Sequence, residues 1–64
     1  MRMTEFWRRM EAVFGAGYAH SWANDQVLAA LGGRTVVQAF ADGESAKAVW
    51  AAVVAEAEVP GPLR

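Results

Sequence analysis

His20, Ser21 and Asp25 are the residues whose types could supply a base, a nucleophile and an acid within a few positions. On a helix, neighbours in sequence point about 100° apart. His20 therefore cannot take the Ser21 proton in the relay that such catalysis needs. His20 pairs with Asn24 at a spacing of four, but two weak donors do not hold a metal. The chain has one histidine and no cysteine, which argues against a zinc site and excludes disulfides. Glu56 and Glu58 have no neighbour in the pattern that would raise one carboxyl for acid catalysis. The expectation is a non-enzymatic chain with no catalytic residues, no metal ligands and no cofactor.

Gly32-Gly33-Arg34-Thr35 has the composition of an anion loop: glycines allow close approach, Arg34 adds charge, and a helix starts beyond Thr35. It lacks the glycine spacing and the lysine of nucleotide loops. A structural role competes, with a glycine ending one helix and Thr35 capping the next. The basic residues are Arg2, Arg8, Arg9, Arg34, Lys47 and Arg64. Only the first three cluster, and Glu5 and Glu11 offset them. Arg8, Arg9, Arg34 and Thr35 are thus the candidate contacts for a partner or an anion.

Val27 to Phe40 has the proportions of a helix-turn-helix, but its second helix offers only Gln38 to a base edge and no cation. With a net charge of −1, no strong nucleic-acid binding is expected, and nothing tighter than about 10⁻⁴ M at physiological salt. Trp7, Trp22 and Trp50 each lie on an apolar stripe and are expected to be mostly buried. In so small a domain one tryptophan edge is left as a possible docking patch.

These residues must be positioned by helices. Met3, Phe6, Trp7, Met10, Val13 and Phe14 recur at steps of three and four, which predicts a helix over 5–14 with Thr4 as its cap and Gly15 as its stop. A second helix is expected over 16–31, with a bend or restart at Asn24-Asp25-Gln26 and an end at Gly32-Gly33. Thr35 and Gln38 have the capping-box spacing, opening a helix over 36–42 with Val36, Val37 and Phe40 on its apolar side. Ser45 caps a fourth helix over 46–58 on the stripe Val49, Trp50, Val53, Val54 and Ala57. Pro60 and Pro62 make 59–64 a tail. No run shows clean strand alternation, so the expected fold is all-α: four helices around one core, in one domain spanning 1–64.

Composition agrees. The 64 residues include 14 alanines and 21 larger apolar side chains, enough for a miniature core and too many for a disordered tail. No apolar run follows the N-terminal charges as a signal peptide requires, and none approaches the ~20 residues of a membrane helix. A soluble, cytoplasmic protein is expected. Five arginines against one lysine, with no isoleucine, suggest a GC-rich coding sequence.

The combination Phe6-Trp7, Ser21-Trp22-Ala23 and Leu31-Gly32-Gly33-Arg34-Thr35-Val36, with Val49-Trp50 and Val59-Pro60, resembles a short actinobacterial family, domain of unknown function 3046. The resemblance spans nearly the whole chain, although Ala46 stands where the family is expected to carry proline. Members are often encoded beside genes for the recombinase and its regulator, which implies at most a loose link to DNA repair. The family has no assigned activity, so no site residue is carried over. The leading expectation is a protein-binding or regulatory domain whose partner is another protein. The alternative is a weak nucleic-acid-binding accessory using Arg2, Arg8, Arg9 and Arg34.

Overall fold

The computed structural model describes residues 1–64. Four α-helices and one two-stranded sheet build it: α1 Met3–Phe14, α2 Ala19–Asp25, β1 Val27–Leu28, β2 Arg34–Thr35, α3 Val36–Ala41 and α4 Ala46–Glu56. Short 3-10 turns cover Ala29–Leu31 and Gly61–Leu63. The fold is mostly helical, with a small sheet that the all-α expectation did not contain.

Helix α1 begins earlier than Thr4 as its cap would require. Arg2 is the N-cap, without a side-chain bond, and its carbonyl accepts from the Phe6 amide at 3.0 Å. Glu5 then lies in the first turn, where a carboxylate complements the helix dipole. The helix ends at Gly15, whose φ is 90°.

The segment expected as one helix over 16–31 divides into four parts. A turn over Gly15–Tyr18 precedes α2, and Gln26 takes up extended backbone with ψ 119°. Asn24 caps no second helix; its amide donates to the His20 carbonyl at 3.0 Å, a local bond of the kind that competes with helix continuation. Val27 and Leu28 then pair antiparallel with Thr35 and Arg34. This register turns Leu28 inward and leaves Val27 on the surface. Two-residue strands are too short to show alternation, which is why the sequence pattern concealed them. Gly32 (φ 66°) and Gly33 (φ 81°) carry the chain from the first 3-10 turn into β2, in a backbone region that β-branched side chains resist.

The capping box of α3 is complete, and Ser45 accepts from the Ala48 amide at the start of α4. Helix α4 is apolar on much of its circumference, as a central helix must be. It lies against α1, α3, β1 and the first 3-10 turn. Its Val49, Trp50 and Val53 fill the core together with Phe6, Met10, Leu28 and Val36. Trp7 and Trp22 pack against this core only in part. Val37, expected on the apolar side of α3, is exposed; Ala39 is buried instead.

Beyond α4, Glu58 has a positive φ of 47° and turns the chain. The closing segment, expected as a tail, then returns to the body: Val59 is buried and Leu63 packs against the core. No helix is long and apolar enough to cross a membrane.

Candidate functional site

Successive residues of α1 advance by about 100°, so Glu5, Arg8, Arg9 and Ala12 share one flank while Phe14 points to the opposite one. Each flank borders a separate surface depression.

On the first flank, one carboxylate bridges two guanidiniums. Glu5 accepts from Arg8 through Oε1 and from Arg9 Nε at 2.8 Å through Oε2. The hydrogen bond from Arg8, followed by that from Arg9, holds the Glu5 carboxyl below its usual value, and the Arg8 guanidinium is raised in return by its bond to Glu5. The Arg9 guanidinium also sits 5.9 Å from the Trp50 ring centre, a cation–π arrangement. Pro62, Leu63 and Arg64 complete a depression of about 290 Å³ with these residues. Arg64 is fixed there by its Nε donating to the Val59 carbonyl at 3.0 Å. Arg64 was not among the candidates, because only the reversal at Glu58 brings it to α1.

The structure does not bring Arg34 and Thr35 to this place. Arg34 ties its own loop together: Nε donates to the Leu31 carbonyl at 2.7 Å, Nη1 to Asp42 at 3.0 Å and Nη2 to Glu44 at 2.6 Å. The bond to Glu44, then that to Asp42, raises the Arg34 pKa. Thr35 is buried; its Oγ1 accepts from the Gln38 amide at 3.0 Å, and its own amide donates to Gln38 Oε1 at 2.9 Å. Both residues are therefore engaged in holding β2, α3 and the loop after α3 in register.

On the opposite flank, Phe14 at the end of α1 stacks on Trp22 of α2, with ring centres 4.4 Å apart and planes inclined by 22°. Together with Leu28 and Ala57 the pair lines an open groove of about 540 Å³, with Gln26 and Glu56 as its polar members. Glu56 also accepts from the Ala30 amide at 3.2 Å, tying the first 3-10 turn to the end of α4. The groove is aromatic on one wall, and Gln26 and Glu56 give it a polar lining that can orient an occupant. Gln26 and Glu56 gave no signal in the sequence, since they meet only through the packing of β1 on α4.

His20 occupies neither depression. It is exposed and stacks on Trp7, with centroids 4.1 Å apart.

The family model described as Protein of unknown function (DUF3046) matches residues 1–62 of the chain. The chain belongs to that family. No curated protein and no solved structure matches it.

Proposed function

We propose that this DUF3046 member is a non-enzymatic protein-binding or regulatory domain of the cytoplasm that receives its partner in the groove lined by Phe14, Trp22, Leu28 and Ala57. The observation that carries the reading is the Phe14–Trp22 stack, an aromatic wall left partly open in a chain this small. Rigid aromatic surface of this kind supplies large contact area at low entropic cost and dominates binding at protein interfaces. Two of the residues of the glycine loop are held by neighbours, Arg34 by Asp42 and Glu44 and Thr35 by Gln38, and His20 stacks on Trp7 outside the groove. Arg8 and Arg9 share Glu5, which lowers the positive field available to a nucleic acid. The gene neighbourhood implied by the family resemblance makes proteins of DNA repair the first partners to try.

Affinity capture from native lysate, with and without nuclease, tests this. Wild-type protein is compared with Gln26→Arg, which places a bulky cation beside the groove without altering the core. The reading expects a discrete protein that resists nuclease and is lost with Gln26→Arg. Capture that disappears on nuclease treatment would move the assignment to a nucleic-acid accessory.

A further inference from the structure

We propose that the depression between α1 and the closing 3-10 turn is a binding site for a phosphate dianion, held by Arg8, Arg9 and Arg64. It lies on the far flank of α1 from the aromatic groove and stands whether or not that groove binds a protein. Three guanidiniums and one carboxylate side chain, Glu5, line it, so the site is net positive. A phosphate monoester, with its charge of about −1.5 to −2 and three strong acceptor oxygens, can meet more than one guanidinium at once.

The donors are available and placed. Arg8 gives one Nη to Glu5, Arg9 gives only its Nε to Glu5, and Arg64 gives only its Nε to Val59. Both terminal nitrogens of Arg9 and of Arg64 make no hydrogen bond to protein. The guanidinium fork suits phosphate oxygens, and here two of the three forks are anchored through Nε with their outer edges unclaimed. Anchoring reduces the rotamer freedom that binding would otherwise have to remove. Glu5 holds Arg8 and Arg9 together and competes with an incoming anion for Arg8. Leu63 and Pro62 supply apolar surface beside the charges, where the group that carries the phosphate can lie.

The test is a titration followed by NMR of the arginine Nε–H signals, at about pH 7.5, above the second phosphate pKa near 6. The probes are inorganic phosphate, a short phosphoserine peptide, and a single-stranded oligonucleotide, each at constant ionic strength. The proposal expects saturable shifts at Arg8, Arg9 and Arg64 with inorganic phosphate. Arg8→Gln and Arg64→Gln should each weaken binding by at least about fivefold, as loss of one charge-assisted contact implies. Both residues are exposed, so the variants should stay folded, which a melting curve verifies. Glu5→Gln should tighten binding. Tighter binding of the phosphoserine peptide than of free phosphate assigns the site to a modified protein segment, and the reverse order to a free phosphate compound. Shifts that never saturate and are matched by chloride would mean an adventitious ion only and would overturn the proposal. Unchanged affinity in both arginine variants, or tighter binding of the oligonucleotide than of either phosphate probe, would overturn it equally.

Discussion

Trp7 and His20 lie face to face, ring centroids 4.1 Å apart and planes inclined by 14°, and so join α1 to α2 outside the buried core. Aromatic pairs contribute roughly 0.5–1.5 kcal/mol beyond their area. His20→Ala should therefore lower the melting temperature by several degrees, since about 1 kcal/mol corresponds to ~4–8 °C in a domain of this size. His20→Phe, which keeps a stacking ring, should restore most of the loss. Equal melting curves for His20→Ala and wild type would show that the contact contributes nothing.

Trp50 and Trp22 should separate in a mutational series. Trp50 is buried at 5% exposure and meets Phe6 edge to face, so Trp50→Ala should cost ~3–5 kcal/mol and leave little folded protein. Trp22→Ala should cost less, because part of its ring already faces the groove. Urea denaturation of both variants measures the order.

The α3 cap and the glycine pair before it make a second, independent set. Thr35→Ala removes the acceptor for the Gln38 amide together with a buried methyl group and should destabilise by at least ~1 kcal/mol. Gly33→Val should cost more, because the φ of 81° is retained only with strain. Thermal melts of the two variants check both the direction and the ranking.

These contrasts also mark what was legible in the chain. Thr35 with Gln38, and Ser45 with its helix, are local signals complete within four residues, and both caps form as expected. The stripe of Phe6 and Met10 likewise announced the buried face of α1. Leu28 and Arg34 carried no such signal, because their pairing joins two short strands across a turn. The candidate site shows the same division. Arg8 and Arg9 were visible as neighbours on one helix, whereas Arg64 reaches them only because Glu58 reverses the chain. An open tryptophan edge was foreseeable from size alone. That it is Trp22, with Phe14 beside it, follows from tertiary packing.

Glu5 gives a pH signature. Its folded pKa lies below the usual value of 4.5, chiefly through the bond from Arg8 and then that from Arg9. The unfolded chain therefore takes up a proton first as pH falls, and the contribution is complete above about 4.5 and lost as pH drops through the folded pKa. The melting-temperature difference between wild type and Glu5→Gln should be largest near neutrality and should close in acid. A difference that persists unchanged at acid pH would show that the carboxylate's charge is not what α1 uses.

The most direct test of the central claim, that the Phe14–Trp22 groove receives a protein, is photo-cross-linking from position 26 in the native host. A benzophenone amino acid replacing Gln26 reports whatever occupies the groove. The same probe at exposed Glu11, which does not line the groove, serves as control. A groove that receives a protein should give one discrete protein adduct from position 26, resistant to nuclease and absent from position 11. Adducts that vanish on nuclease treatment, or the same products from both positions, would contradict it.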